Sequence, residues 1–327
     1  HFGGVSLVGC TSAGEITPQG YGRGSVVALG FDLRCFSIAS VLIDEMERFN
    51  LLDAQQLVDG LVKNCRSNEL ASIKGHSFAL TLLDGLSSRE ELVLGALSAA
   101  LGSIPHFGGS AGDDNHLTHT HVYYGGQFHT GAAVVVLFNT WLDFEVFSTH
   151  HIEPRADKLV VTRVDSARRR VHELNAAPAA LEYARLIGVA VADLDMRLFA
   201  AHPLAVRIGG QYYVRSIQRV NEDLSLSFYC AVENGIVLTA MRPGPLLANL
   251  EGLFDGLRRR LGPLLLTIGC DCFLRRLEIE AEDGAPPVAA LLRSQRVIGF
   301  NTYGEQFNGM HINQTFTGVA IGRPGRG

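Results

Sequence analysis

The sequence predicts an α+β fold, a layered sandwich of mainly antiparallel sheets with outer helices and an internally duplicated N-terminal half. Short β-branched runs follow one another at hairpin distance, and leucine-spaced segments of helical length stand between them. One glycine-rich motif also occurs twice. The 327 residues include 36 glycines without a collagen period and 47% apolar residues, which excludes a disordered or fibrous chain.

The repeated motif is a turn of the type Ser-Ala-Gly-acid, followed by a glycine-rich loop and a β-branched strand. Its first copy spans the turn at 12–15 and the strand at 24–31, and its second spans 110–113 and 131–138. Several glycines of this chain are therefore assigned to turns, where they adopt conformations that other residues avoid.

The second copy has an upstream part, a strand at 77–83 and then a helix capped by Ser87 or Ser88. The first copy lacks this part, so we expect a matching strand and helix upstream of His1. Apolar spacing predicts the remaining elements. They are strands at 5–8, 36–42, 144–148, 204–208, 212–217, 224–229 and 264–270, helices at 52–64 and 246–261, a strand and helix within 171–186, and a closing helix and strand ending within 299–322.

Charge and cysteine content restrict the class of protein. A net charge of −5 and a pI of about 6.2 exclude a general nucleic-acid binder. No run approaches the roughly 18 apolar residues of a membrane span. The six irregularly spaced cysteines indicate a reducing cytoplasm. Three arginine runs, at 168–170, 258–260 and 275–276, are interpreted as solvated faces.

Five segments together resemble the FIST family of intracellular signal-transduction sensors. They are GCTSAGEITPQGYGRGSVVALGF, HFGGSAGDDN, RVHELN with the following Pro178-Ala179, IGCDCFLRRLE and GFNTYGEQFNGMHINQTFTGVAIG. The resemblance covers nearly the whole chain and implies a FIST N-terminal domain over residues 1–165 and a FIST C-terminal domain over residues 170–327. The segments THH, AAHPLAVRIGGQYYVRSIQ and NGMHINQTF resemble the NosP type within this family. That resemblance implies a haem cofactor, nitric oxide as its ligand and a partner histidine kinase.

Histidines are the candidate haem ligands, because a neutral imidazole binds iron and leaves the opposite face open to a diatomic gas. His150 and His151 follow a strand, so one of them should face inward, and His151 is the candidate metal ligand of the pair. His106 precedes two glycines that would let backbone approach a flat ligand. His311 lies near the end of the second domain. Each of these residues would otherwise be an ordinary surface, loop or hydrogen-bonding histidine.

Cysteines offer an alternative metal chemistry. Cys270 and Cys272 share one face of a strand, and Cys10 ends another strand, so three thiolates could hold an iron–sulfur cluster with a fourth ligand of another kind. Three buried apolar cysteines explain the pattern equally well. A thiol-based redox sensor uses the same residues.

The turns leave a further alternative. Residues 12–15, 110–113 and 302–305 each combine a hydroxyl, a glycine and a carboxylate, which would suit a small-metabolite-binding module if their N–H groups face a ligand. Turns that close on their own backbone are commoner. The sequence contains no GxxxxGK[ST] or HExxH motif, so phosphoryl transfer and zinc-protease chemistry lose their main support. The FIST resemblance implies a sensor rather than an enzyme. We expect it to act on a histidine kinase, to contact a second copy of itself, and to bind neither nucleic acid nor membrane.

Overall fold

The computed structural model of the chain describes residues 4–114, 116–281 and 285–323. Up to residue 149 the elements are β1 (Gly9–Cys10), β2 (Glu15–Thr17), β3 (Gly20–Gly22), β4 (Phe36–Ile43), α1 (Leu51–Arg66), β5 (Ser77–Leu83), α2 (Glu90–Leu101), β6 (His106–Ser110), β7 (Val122–Tyr124), β8 (Gln127–His129), β9 (Ala133–Thr140) and β10 (Phe144–Thr149). Then follow β11 (Ile152–Asp165), β12 (Arg170–Leu174), β13 (Ala177–Pro178), α3 (Ala179–Ile187), α4 (Met196–Ala201), β14 (Leu204–Ile208), β15 (Gln211–Arg215), β16 (Ile217–Val220), β17 (Leu226–Phe228) and β18 (Val237–Pro243). The last are α5 (Leu246–Leu261), β19 (Leu266–Cys272), α6 (Phe273–Ala281), α7 (Ala285–Ser294), β20 (Val297–Thr302), β21 (Glu305–Phe307), β22 (Met310–Ile312) and β23 (Phe316–Ile321).

Two six-stranded sheets form the centre of the molecule. One has the order β22-β21-β6-β5-β9-β4 and the other the order β10-β23-β19-β20-β2-β3. Within them, only β5–β6 and β19–β20 pair in parallel among the described strands. The sheets face each other through one apolar cluster, which joins Phe78, Phe107 and Phe138 of the first to Ile268 and Val319 of the second. Burial of these faces drives the sandwich together.

Helices cover the outer face of each sheet. Helices α1 and α2 pack on the first sheet through a cluster that includes Val58, Leu97 and Val135. Helices α5 and α7 pack on the second through a cluster that includes Leu250 and Phe316. The predicted α+β sandwich of mainly antiparallel sheets with outer helices is confirmed. None of the helices in the described ranges is both long and apolar enough to cross a bilayer.

An eight-stranded antiparallel sheet lies beside the sandwich. Its strands are β11 to β18, and helices α3 and α4 complete its apolar cluster through Tyr183 and Phe199. Strand β11 starts three residues after β10 ends, so the chain passes directly from the sandwich into this sheet. It returns to the sandwich through α5. The junction between the two parts is therefore built from segments far apart in the chain.

The duplicated unit occurs a third time, within residues 266–321. Each copy places a hairpin after its turn motif, namely β2–β3, β7–β8 and β21–β22. These hairpins are exchanged: β2 pairs with β20, β21 pairs with β6, and β7 pairs with β1. The hairpin of each copy thus pairs with a strand of another copy, and the three copies interlock around a common centre.

The predicted strand at 24–31 is wrong. This segment forms no strand, and Val26 is 94% exposed. The corresponding strands β9 and β23 are each hydrogen-bonded on both sides, β9 by β4 and β5, and β23 by β10 and β19. No described strand lies beside 24–31, and an unpaired strand is not stable by itself.

Candidate functional site

The three turn motifs meet at the common centre and bind each other. Ala13 N–H donates to Asn301 O at 2.9 Å, Ser110 N–H to Gly304 O at 2.8 Å, and Gly112 N–H to Thr11 O at 3.2 Å. These N–H groups already donate hydrogen bonds to neighbouring turns. They are not available for the anion or metabolite that the sequence left as an alternative.

The carboxylates of the turns close their own loops. Glu305 accepts hydrogen bonds from Thr302 Oγ1 and from the N–H and Oγ1 of Thr315, the latter two at 3.1 and 2.8 Å. Glu15 makes the same bonds 290 positions earlier, with Ser12 and Ser25. The commoner interpretation, turns that close on themselves, is the one that the structure bears out.

Glu305 makes folding stability depend on pH. Its complete burial raises the pKa of the carboxyl from 4.5 to about 7, against the effect of its hydroxyl and N–H donors. Between these pH values the unfolded chain ionises Glu305 and the folded chain does not, so stability falls as pH rises, by at most about 3 kcal/mol. Glu305→Gln has no titratable group at this position, and its amide oxygen can accept the N–H of Thr315 as the carboxyl does. We expect the free energy of unfolding of this variant to lack the decline with rising pH that Glu305 causes in the wild type.

Denaturant unfolding of both proteins between pH 4.5 and pH 8 measures the difference. A free-energy gap between them that stays constant across this range contradicts the prediction.

A second polar group, which we call the junction cluster, lies where the sandwich meets the eight-stranded sheet. It consists of Glu90 and Glu91 from the first turn of α2, Arg169, Cys230 and His311 of β22. Arg169 donates to Glu90 Oε2 at 2.6 Å and also contacts Glu91 Oε2. His311 Nδ1 lies 3.2 Å from Glu91 Oε1. Side-chain exposure is 1% for Glu90, 2% for His311 and 7% for Arg169, so these charges are paired inside the protein.

Local structure explains how these groups come to face one another. Arg89 precedes α2 and makes no side-chain cap, so the predicted capping by Ser87 or Ser88 is wrong. Glu90 and Glu91 instead lie at the positive end of the helix dipole. Arg169 has a φ of 51°, in the left-handed region, and this backbone conformation turns its side chain inward. The side chain of the preceding residue, Arg168, is exposed.

Burial and pairing act against each other on the pKa values of the cluster. Burial raises the pKa of Glu90 despite the nearby guanidinium of Arg169. Burial also acts to raise the pKa of Glu91, but His311, Arg169 and the N–H of Ala231 outweigh it and lower the value. For His311, burial is outweighed by Cys230 and Glu91, so its pKa is raised well above the usual 6.5. The folded protein therefore holds an imidazolium against a carboxylate.

A third group contains His151. Its Nε2 lies 2.7 Å from Glu278 Oε1, and its Nδ1 lies 2.7 Å from a guanidinium nitrogen of Arg275. Arg275 also donates to Asp271 at 2.7 Å, and Tyr21 donates to the other oxygen of that carboxylate. Burial lowers the pKa of His151, so the ring is neutral, accepts from Arg275 and donates to Glu278. With both nitrogens engaged, His151 is a poor candidate for binding iron.

The other predicted histidines lie apart from one another. His106 Nδ1 lies 3.2 Å from the carbonyl of Ile104, and its Nε2 is buried with no hydrogen-bond partner in the described residues. His150 Nδ1 and His311 Nε2 are also buried without such a partner. His311 Nε2 is packed against Gly304, where a Cβ would approach it to 2.0 Å. The four residues are thus not gathered into one site.

Only two of the three predicted cysteines lie in the same cluster. Cys10 and Cys270 share the apolar cluster between the two six-stranded sheets, whereas Cys272 packs with Phe273 and Tyr303. Burial raises the pKa of Cys10 to about 12 and raises those of Cys270 and Cys272 well above 9.0, which keeps the thiols protonated. Within the described ranges, the one group of three metal-ligand side chains with close ligand atoms is Glu91, Cys230 and His311.

The arginine runs are only partly solvated. Arg258 and Arg260 are exposed as predicted. Arg169, Arg275 and Arg276 are buried at 6, 1 and 0% exposure, which corrects the interpretation as solvated faces. Composition gives no signal that separates them from their exposed neighbours. The amino-acid sequence therefore gives no indication that Glu91, Arg169, Cys230 and Arg275 belong to buried polar groups.

This geometry defines a repeated α+β sandwich with polar groups buried where its parts meet. Two family models match the sequence, the FIST N domain over residues 1–177 and the FIST C domain over residues 179–308. The chain belongs to the FIST family, whose domains are sensory domains of signal transduction. A comparison with curated proteins gives no match.

Proposed function

We propose that this chain is a cytoplasmic sensor that binds haem, responds to nitric oxide and regulates a partner histidine kinase. The sensory role of FIST domains and the NosP-like segments support this proposal. The observation that carries it is the state of His106. Its Nδ1 faces the carbonyl of Ile104, which fixes the tautomer that leaves Nε2 free, and a metal-bound histidine is held in the same way.

A depression beside the residues that precede His106 has side chains whose chemistry suits haem. A surface depression of about 500 Å³ lies over Ile104 and is lined also by Ile73, Leu101, Arg66 and Lys74, among other residues. Apolar side chains suit the porphyrin face, and the two cations suit its propionates.

His106 does not line the depression, so ligation would require the connection at 102–105 to move. Bound haem would supply an iron able to bind nitric oxide. The protein would hold the ring, and movement of this connection would carry the signal to α2 and the junction cluster.

Haem reconstitution of the purified chain tests the proposal. We expect a Soret band that shifts with nitric oxide, its loss in His106→Ala, and its retention in His129→Ala, which removes a histidine of the surface hairpin β7–β8. Absence of the band in the wild type, or an unchanged band in His106→Ala, contradicts haem binding through this residue. Substitutions of His150, His151 and His311 identify the ligand if His106 is not it.

The kinase proposal has its own test. The haem-loaded chain, with and without nitric oxide, is added to each histidine kinase of the source cell and autophosphorylation is measured. We expect one kinase whose rate depends on the gas, and no reaction catalysed by the chain itself. The six free cysteines agree with a cytoplasmic location. A haem-free chain with a labile iron–sulfur cluster would instead favour the alternative based on Cys10, Cys270 and Cys272.

A further inference from the structure

We propose that Glu91, Cys230 and His311 form a binding site for a soft divalent cation, Zn²⁺ being the best fit, at the junction between the sandwich and the eight-stranded sheet. This site is separate from the haem site proposed at His106. One thiol, one imidazole and one carboxylate are a donor set that zinc prefers. Their ligand atoms lie within 4.8 Å of one another without any change in the structure.

The spacing of the ligand atoms suits a tetrahedral ion. Zinc bonds of about 2.0–2.3 Å place neighbouring ligand atoms about 3.3–3.7 Å apart. Glu91 Oε1 and His311 Nδ1 are already 3.2 Å apart. Small movements of the Cys230 side chain, whose sulfur now lies 3.0 Å from Asn313 Oδ1, complete the set. The fourth position is left to water or to the amide oxygen of Asn313.

The neighbours of the three ligands hold them in place. Ala231 N–H donates to Glu91 Oε1 at 2.6 Å, and Arg169 binds the other oxygen of the same carboxylate. Asn313 Oδ1 also accepts the N–H of Ser216 at 3.1 Å. Supporting hydrogen bonds of this kind orient metal ligands and raise affinity. The Glu91 side chain is 30% exposed and gives an ion a route from solvent.

The charges of the site also suit a divalent ion. A thiolate and a carboxylate among the three ligands offset the two positive charges of a bound ion. This matters because an uncompensated charge inside a protein is costly.

A bound ion would connect three distant segments. Glu91 belongs to α2 of the sandwich, Cys230 follows β17 of the eight-stranded sheet, and His311 lies on the exchanged hairpin β21–β22. Zinc occupancy would thus fasten the two parts of the molecule to each other. Ligands that bind only the folded state stabilise it.

Cobalt provides the direct test on the full chain. We expect the chelator-treated protein to take up one Co²⁺ and to show a thiolate-to-cobalt charge-transfer band in the near ultraviolet, which Zn²⁺ abolishes. Cys230→Ser should lose this band, and its zinc affinity should fall about 100-fold or more, as should that of His311→Gln. Cys65→Ser removes another buried cysteine, in the cluster under α1, and should keep both properties.

Three results would overturn the proposal: no cobalt binding by the wild type, cobalt binding without a thiolate band, or equal zinc affinity in Cys230→Ser and the wild type. If Cys230→Ser does not fold, cobalt binding and the thiolate band of the wild type still test the proposal. Alkylation in mild denaturant, mapped by peptide mass, gives a second measurement. Zn²⁺ should slow the alkylation of Cys230 at least tenfold. The alkylation rate of Cys65 should fall only by the factor that global stabilisation of the fold accounts for. Absence of protection of Cys230 by Zn²⁺ also contradicts the site.

Discussion

Replacing Arg169 by Met should destabilise the protein by about 3–5 kcal/mol at pH 7, which is the usual cost of removing one partner of a buried ion pair. The guanidinium binds Glu90, whose side chain is 1% exposed, and Glu91. It also donates to the carbonyl of Tyr229 at 2.6 Å. Without it, a carboxylate and a carbonyl remain buried without their cation. Denaturant unfolding measures the loss.

Arg168→Met is the matched control for this prediction. Arg168 is the adjacent residue, its side chain is 78% exposed, and its substitution should change stability by no more than about 0.5 kcal/mol. The penalty at Arg169 should also shrink toward pH 5, because burial raises the pKa of Glu90 and a protonated Glu90 needs no cation. Equal effects of the two substitutions would refute the buried ion pair.

The three consecutive arginines at 168–170 show why the sequence predicts the fold better than the site. Periodicity separates buried from exposed positions only inside a regular helix or strand. Arg169 lies between a short 3₁₀ turn and β12, where its backbone alone decides which way the side chain points. Arg275 and Arg276 are adjacent in α6 and are both buried, because protein covers this helix on more than one side.

The repeated motif predicted the turns of the sandwich and strand β9, but neither the absence of a strand at 24–31 nor the exchange of the hairpins. A Ser-Ala-Gly-acid turn has the same sequence whether the following hairpin pairs with its own sheet or with the next one. The exchange carries β21–β22, and with it His311, to the edge beside β6 and below α2. His311 and Glu91 are 220 positions apart, so no local pattern relates them.

The glycines were predicted to lie in turns, but several of them lie inside strands. Gly318, Gly269 and Gly299 lie side by side on β23, β19 and β20, in the interior of the second six-stranded sheet. Glycines inside strands mark places where backbone approaches closely. An added Cβ at Gly318 would come within 2.3 Å of Ile268 O, and one at Gly299 within 1.8 Å of Gly269 O. The glycine excess therefore also reflects the packing of this sheet.

Gly299→Ala should consequently destabilise the protein by about 3 kcal/mol or more, the upper part of the range for overpacking. The added methyl group meets backbone, which cannot rotate away as a side chain can. Strand β20 cannot shift to relieve the contact, because β19 pairs with it on one side and β2 on the other. The free energy of unfolding from a denaturant titration gives the size of the effect, and soluble yield reports a variant that does not fold.

Gly252→Ala separates this cause from a general effect of losing glycine. Gly252 lies inside α5, and a Cβ there meets no atom within 4 Å. Alanine is the better helix former by about 1 kcal/mol, so this variant should be as stable as the wild type or more stable. Opposite signs at the two positions would show that Gly299 is required by the close approach of β19 and β20. A loss below about 1 kcal/mol at Gly299 would mean that the sheet can open there, and the interlocked core would then be less rigid than its backbone contacts indicate.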